Sequence, residues 1–422
     1  MSKKIIVFSV LVLITVLSFL VLNFRGDNKI IYTDKKSNQI INTNALTMMY
    51  ETEADSGEYQ VSNDTAWPQD GYVFNETLSR CENGGVLSWN NENNRVVMQT
   101  NSSDKCYVYF DVYEPPTLAK YIVSQYTTDG ENGLYLHDGI GTYGAQEAGD
   151  NSYRYSGANP NNYVCFGSTD SSCPAENLYR IIGAFDDDKD SNYQIKLIKS
   201  DYTTSAMLGT DGRDYYGAYD LDTSNYKGSM ETSTIAAYRW NYDTSVSAFG
   251  SNNWTTSEFN AINLNTNYWN YLGTTWQNLI AETTWHLGGT ASNYSTAKEF
   301  YDGERNNAGY GNNPTIYTDE IGLMYPSDYG YASSPDAWAT DLADYDNSTI
   351  IENNWMYLGL NEWTITPNAS NSAFVFYVSF NGRLTSSNAN NGNSARPVFY
   401  LASTVEISSG TGTQIDPYRL SD

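Results

Sequence analysis

The segment Ala373-Phe-Val-Phe-Tyr-Val-Ser-Phe380, followed by Asn381-Gly382, carries the clearest fold signal in the chain. Its phenylalanines, at 374, 376 and 380, are all an even number of positions apart, which fits the two-residue side-chain period of a β-strand. Phe374, Phe376, Val378 and Phe380 are therefore expected on one face, and Tyr377 and Ser379 on the other. Asn-Gly between such runs favours a tight hairpin turn. The segment predicts a β-hairpin within a strand-rich C-terminal region.

On either side of this hairpin, other short apolar runs predict further strands and a few helices. Alternating or β-branched runs bounded by Asn, Asp, Ser and Gly predict strands at Val86–Trp89, Arg95–Gln99, Cys106–Val112, Leu178–Phe185, Tyr193–Lys199 and Ile321–Tyr325. Apolar residues three or four apart predict helices over Ser257–Leu264, Thr275–Leu287 and Ala297–Asn306. The expected fold class is α+β, with an all-β module preceding the mixed region.

The N-terminus carries an uncharged run from Ile5 to Leu22, preceded by Lys3 and Lys4. Eighteen residues at about 1.5 Å per residue span about 27 Å as a helix, close to the thickness of a bilayer core. No small-residue cleavage site follows the run, so the sequence predicts an uncleaved signal anchor, a transmembrane helix. A cleaved signal peptide and a buried helix are the alternatives. We expect the bulk of the chain outside the cell membrane.

The four cysteines fall into two local pairs, Cys81 with Cys106 and Cys165 with Cys173. An even number of cysteines in an exported chain favours disulfides. The spacing contains no CxxC pair, and the chain has only two histidines, so free or metal-bound thiols are the weaker alternative. No metal and no cofactor are predicted.

The composition excludes some classes of function. The chain has 422 residues, with 23 Lys and Arg against 49 Asp and Glu, for a net charge of −26. Such a surface repels phosphate backbones, so nucleic-acid binding is not expected. Ten Trp and 40% hydrophobic residues are enough to form a core, so disorder is not expected either. The run Gly139-Ile-Gly-Thr-Tyr-Gly144 lacks the surrounding βαβ pattern of a dinucleotide-binding loop.

Changes of composition suggest five regions. Residues 1–22 form the cytoplasmic tail and anchor, 23–44 a polar stalk, 45–113 a small β module, 114–160 a connecting segment, and 161–422 the main domain.

Several motifs of the last 260 residues give a family resemblance. They are Asn177–Gly183, Trp276–Gly289, Ile321–Tyr331, Trp355–Thr364 and Ala395–Leu401. This part resembles uncharacterised bacterial surface proteins with a C-type-lectin-like domain of the formylglycine-generating-enzyme type. The resemblance implies a C-type-lectin-like fold for 161–422. It carries over neither oxidising activity, because no cysteine follows Cys173, nor calcium-dependent sugar binding, because the Glu-Pro-Asn, Gln-Pro-Asp and Trp-Asn-Asp motifs are missing.

The stretch 361–396 is rich in Asn, Ser and Tyr, and it contains the candidate ligand-binding site. Tyr, Asn, Ser and Gly combine rigid contact area with adaptable hydrogen bonding. An ordinary loop in a chain already rich in Asn is the alternative. The candidate site residues are Trp363, Asn368, Ser370, Asn371, Tyr377, Ser379, Arg383, Asn388, Asn390 and Asn391.

The sequence therefore predicts a membrane-anchored cell-surface binding or adhesion protein whose partner is a surface protein or a glycan. No spacing singles out a catalytic group, so enzymatic activity is not predicted. A structural subunit of a pilin-like filament and an extracellular hydrolase are the alternatives.

Overall fold

The computed structural model describes residues 31–34, 46–64, 66–93, 95–100, 104–186 and 192–421. The chain divides into two compact units, Met1–Glu114 and Pro115–Asp422.

The described part of the first unit consists of strands in two sheets. One sheet has the order β1-β6-β5 and the other β3-β2-β7-β4. The strands are β1 (Ile31–Asp34), β2 (Leu46–Glu51), β3 (Tyr59–Val61), β4 (Tyr72–Cys81), β5 (Val86–Asn90), β6 (Arg95–Thr100) and β7 (Cys106–Val112).

Side-chain alternation explains how this unit forms its core. On β7, Cys106, Val108 and Phe110 are fully buried, and the residues between them are only partly buried. Met48 on β2 and Met98 on β6 join the same apolar cluster, so strands of both sheets contribute to it. Cys81 lies directly opposite Cys106 in the β4–β7 pairing, and the two form a disulfide.

The second unit contains a larger sheet with the order β15-β21-β12-β11-β9-β8, in which β10 also pairs with β11. Four small sheets accompany it: β13-β14, β16-β17, β18-β19-β20 and β22-β23. The strands are β8 (Leu134–Leu136), β9 (Tyr153–Tyr155), β10 (Tyr163–Cys165), β11 (Leu178–Phe185), β12 (Gln194–Lys199), β13 (Tyr215–Ala218), β14 (Ala236–Tyr238), β15 (Ile280–Ala281), β16 (Thr283–His286), β17 (Ile316–Asp319), β18 (Glu362–Pro367), β19 (Phe374–Val378), β20 (Leu384–Asn388), β21 (Val398–Leu401), β22 (Glu406–Ser409) and β23 (Arg419–Ser421).

The helices of the second unit are short. The α-helices are Leu118–Ser124, Ser205–Leu208, Trp269–Leu272, Thr274–Gln277, Ala297–Arg305, Pro326–Tyr331 and Ser348–Glu352, and Phe259–Tyr268 is a π-helix. Short 3-10 turns lie at Glu131–Gly133, Ala175–Asn177, Thr232–Thr234, Trp254–Thr256, Pro335–Ala337 and Leu342–Asp344. Strands β8 and β9 come from the segment 114–160 and pair within the large sheet, so that segment is part of the second unit.

The expected fold class is wrong. We expected an α+β chain with a C-type-lectin-like C-terminal domain, an N-terminal all-β module and a transmembrane helix. The structure is instead mostly strands, 31% against 19% helix, arranged in many small sheets. Among the described residues no helix is long and apolar enough to cross a bilayer, and the expected anchor at 5–22 lies outside them.

The predicted helix over Thr275–Leu287 shows one physical reason why strands stand where the sequence predicts helix. Helix Thr274–Gln277 ends after four residues, and the chain continues as β15 and β16. Thr283, Thr284 and Trp285 favour extended backbone because β-branched and aromatic side chains pack well on a pleated surface. Strand β16 pairs with β17, about thirty residues farther on, and this pairing replaces the local helical bonds.

A buried group of charges lies in the second unit. The Lys196 Nζ is 2.6 Å from Asp328 Oδ2, and both side chains are almost fully buried. Arg154 contacts the other oxygen of Asp328 at 3.6 Å and Asp150 at 2.7 Å. Burial alone would raise the pKa of Asp150, but the Arg154 guanidinium and hydrogen bonds from Ser152 hold it well below its usual range. Each charge of this group therefore has an opposite charge beside it.

The second predicted disulfide is also present, between Cys165 at the end of β10 and Cys173. Both cysteine pairs predicted from the sequence are thus confirmed.

Candidate binding surface

The residues predicted to bind a ligand lie on and around the sheet β18-β19-β20. Phe374 of β19 pairs with Asn388 of β20, so the loop 368–373 and the loop 389–393 lie at the same end of this sheet. The turn 379–383 lies at the opposite end. The structure therefore separates the ten predicted residues into groups.

The segment Phe249–Asn252 holds the two loops together. The buried Asn252 side chain donates hydrogen bonds to the carbonyl oxygens of Asn368 (2.9 Å) and Asn371 (2.7 Å). The main-chain amide of Asn390 donates to the carbonyl oxygen of Phe249 at 3.2 Å. Both loops are thus fixed to the segment Phe249–Asn252 through main-chain atoms of the loops themselves. Ser370 and Asn371 lie on the first loop, and Asn388, Asn390 and Asn391 lie at the end of β20 and on the second.

Exposed aromatic side chains lie next to the second loop. Tyr216, Tyr242 and Phe249 are 46%, 40% and 57% exposed. The Arg239 guanidinium carbon lies 4.9 Å from the ring centroids of both Tyr216 and Tyr242. Arg239 Nη1 also donates to the carbonyl oxygens of Arg213 and Tyr215, each at 2.9 Å, which fixes its position. An arginine held between two rings is a rigid group with apolar and polar contact area.

Local backbone structure brings these side chains to the surface. A register shift in the β13–β14 pairing lies between Tyr215 and Gly217, at the position of Tyr216. The buried Asp214 carboxylate accepts hydrogen bonds from the amides of Tyr242 (2.6 Å) and Phe259 (2.8 Å). Burial raises the pKa of Asp214, and these two hydrogen bonds limit the rise. Asp214 thereby keeps Tyr242 close to β13.

The loop 389–393 continues this surface. Gly392 lies against the Tyr216 ring, and Asn393 pairs with Tyr238 through two backbone hydrogen bonds. We define the aromatic–Asn surface by its six residues: Tyr216, Arg239, Tyr242, Phe249, Asn390 and Asn391. It combines three exposed rings, one guanidinium and two amides.

The other predicted residues lie elsewhere. Trp363 is fully buried, and its Nε1 donates to the Tyr238 carbonyl at 2.7 Å. Tyr377 is half-buried and packs edge-on against Trp363. Asn368 and Ser379 are buried. Trp363 in particular supports the sheet and presents no surface to a ligand.

Arg383 lies at the opposite end of the sheet, where it pairs with Asp346. A separate polar cavity of about 450 Å³ is lined by Asp346, Lys227 and Asn381 among others. The predicted site is therefore not one continuous patch.

Sequence reasoning missed Tyr216, Arg239, Tyr242 and Phe249. The available signal was the placement of aromatic residues directly beside charged or amide residues, as in Asp214-Tyr-Tyr-Gly217 and Asn241-Tyr-Asp243. Charged and amide side chains are mostly exposed, so an aromatic residue beside them tends to lie near the surface. Its ring is therefore a candidate for surface contact.

Within the described residues, one cluster has the spacing of metal ligands: Cys81, Asp104 and Cys106. The two sulfurs are bonded to each other. The Asp104 carboxylate accepts hydrogen bonds from the amides of Asn83, Gly85 and Lys105, each at 2.8 Å. Burial opposes ionisation, but these bonds lower the pKa of Asp104, and they account for its position without an ion.

Comparisons of the chain with protein-family models, curated proteins and solved structures found no match.

Proposed function

We propose that this protein is an exported, non-catalytic binding protein, and that the aromatic–Asn surface of its second unit contacts a partner protein at a cell surface. The observation that carries the proposal is the exposed Tyr216–Arg239–Tyr242 group beside Asn390 and Asn391. Two disulfides support an oxidising, extracytoplasmic location.

Residue chemistry favours a protein as the partner. Tyr and Arg are enriched among the hot-spot residues of protein interfaces, whose truncation costs about 2 kcal/mol or more. Asn and Ser supply adaptable hydrogen bonds around such anchors. The rings of Tyr216 and Tyr242 lose little conformational freedom on binding because Arg239 already contacts both of them.

Site-specific photo-crosslinking on the full chain tests this proposal. A benzophenone amino acid at position 216, and for comparison at position 294, is exposed to surface proteins of the producing organism and of its neighbouring cells. Tyr294 is a suitable comparison because it is 67% exposed, belongs to the same unit and lies outside the aromatic–Asn surface. The expected result is one protein crosslinked from position 216 and not from position 294.

Affinity measurements with that purified protein complete the test. Tyr216→Ala and Tyr242→Ala should each weaken binding at least about tenfold, which corresponds to about 1.4 kcal/mol. Tyr294→Ala should leave the Kd unchanged. Equal affinity of all the variants would overturn the assignment of the surface. Binding only to glycans, with the same loss on Tyr216→Ala, would replace the protein partner with a carbohydrate.

A further inference from the structure

The first unit contains a groove between strands β4 and β5, at the border of its apolar core. The groove has a volume of about 660 Å³, within the range of about 300–1,000 Å³ for small-molecule sites. Its main lining residues are Tyr72, Phe74, Glu76, Ser88, Trp89 and Asn91.

Aromatic rings form the apolar part of the groove. Phe74 and Trp89 lie nearly parallel across the two strands, with centroids 6.0 Å apart and planes 17° apart. Phe74 also packs edge-on against the fully buried Phe110. Tyr72 packs edge-on against the buried Trp67, with centroids 5.0 Å apart. Because core residues support these rings from behind, the rings are held in place before any ligand arrives.

The polar lining determines which ligands fit. Glu76, Ser88 and Asn91 offer a carboxylate, a hydroxyl and an amide, and among the described residues no Lys or Arg lines the groove. A carboxylate in a chain with a net charge of −26 repels anionic ligands. A small ammonium ligand is instead recognised by rings that enclose it, whereas Phe74 and Trp89 lie nearly parallel in an open groove.

We infer that this groove binds a neutral saccharide. The CH faces of sugar rings can pack on Trp89 and Phe74, while their hydroxyl groups bond to Glu76, Ser88 and Asn91. This site belongs to the first unit and does not depend on the function proposed for the aromatic–Asn surface.

Affinity electrophoresis of the full chain tests the inference. The native gels contain galactomannan, xyloglucan or glycogen as neutral probes, and polygalacturonate as an anionic probe. A glycan array of neutral oligosaccharides extends the panel. The expected result is retardation by at least one neutral polysaccharide and none by polygalacturonate.

Substitutions of residues that line the groove test whether the saccharide binds there. Trp89→Ala should reduce affinity at least tenfold, and Trp89→Phe should retain most of it because a ring remains. Ser88→Tyr should also abolish binding by filling the groove, and it keeps Trp89 in case Trp89→Ala does not fold. Tyr113→Ala is the matched control, since Tyr113 is 50% exposed in the same unit and does not line the groove.

Two outcomes would overturn the inference: no binding to any neutral glycan, or equal binding by Trp89→Ala, Ser88→Tyr and the parent. Tyr216→Ala should retain saccharide binding. That variant keeps the result separate from the test of the second unit.

Discussion

The backbone of Gly392 lies directly against the ring of Tyr216. A Cβ atom on this glycine would come within 2.4 Å of Cγ and Cδ1 of the tyrosine ring, a distance that side chains do not tolerate. The loop 389–393 and strand β13 thus depend on each other at the centre of the aromatic–Asn surface.

Gly392→Ala should therefore displace Tyr216 and weaken partner binding about as much as Tyr216→Ala does. The ring is 46% exposed and can move outward, so the free energy of unfolding should fall by only about 1 kcal/mol or less. Binding assays and urea denaturation of the same preparation measure both quantities. If a folded Gly392→Ala protein bound the partner with full affinity, the present position of the Tyr216 ring would not be required for binding.

Loss of Lys196 should strongly destabilise the second unit. Lys196→Met leaves Asp328 buried without its nearest positive charge, and breaking such a pair costs about 3–5 kcal/mol. Lys298 pairs with Asp302 in an exposed i,i+4 arrangement, so Lys298→Met is the matched control and should change stability by less than about 1 kcal/mol. Equal effects of the two substitutions in urea denaturation would contradict this interpretation.

His137 should make the protein less stable as the pH falls. Its side chain is fully buried and packs against Tyr331 and Trp338, and its Nδ1 accepts a hydrogen bond from the main-chain amide of Ala148. Burial, reinforced by the positive charge of Arg154, lowers the pKa of His137 well below 6.5. Below pH 6.5 the unfolded chain takes up a proton that the folded chain does not, so the folded state loses stability.

While the folded His137 stays neutral, an unfolded pKa near 6.5 gives an expected loss of about 1.2 kcal/mol between pH 6 and 5. His137→Gln removes this titrating group, and its stability should depend less on pH in the same window. Urea denaturation at several pH values measures both slopes. Parallel profiles for the parent and His137→Gln would show that His137 is not the group responsible.

The two disulfides should differ in their contribution to stability. Cys81 and Cys106 are 25 residues apart, and Cys165 and Cys173 only 8. Chain entropy then predicts losses of about 3.5 and about 2.5 kcal/mol when each pair is replaced by serine. Denaturation of the two double-serine variants tests which disulfide contributes more to the free energy of unfolding. A larger loss from the Cys165–Cys173 pair would show that local packing outweighs chain entropy.

Strands with a strong local pattern could be predicted from the sequence. Strand β7 begins and ends where the alternation of Cys106, Val108 and Phe110 places it, and β11 covers the predicted Leu178–Phe185. Ile321–Tyr325 also has an apolar pattern, but there only Gly322 makes a bridge, to Val398. Val398, which faces this segment in the fold, lies far along the chain, so local spacing does not reveal whether residues 321–325 pair as a strand.

The candidate site was only partly predictable for the same reason. The Asn-rich composition identified Asn390 and Asn391, which lie on the aromatic–Asn surface. Tyr216 and Arg239 lie about 150 to 175 residues earlier, and long-range contacts such as the bridge between Tyr238 and Asn393 bring them to the loop. Trp363 was also predicted to bind the ligand, yet it packs inward and donates to the Tyr238 carbonyl.

The way the segment Phe249–Asn252 holds the two loops has an evolutionary consequence. Asn252 bonds to carbonyl oxygens, which every amino acid possesses, and the amide of Asn390 bonds to another carbonyl. Replacing Ser370 or Asn391 therefore leaves these anchoring bonds in place. New partners can be selected at such positions without rebuilding the fold beneath them.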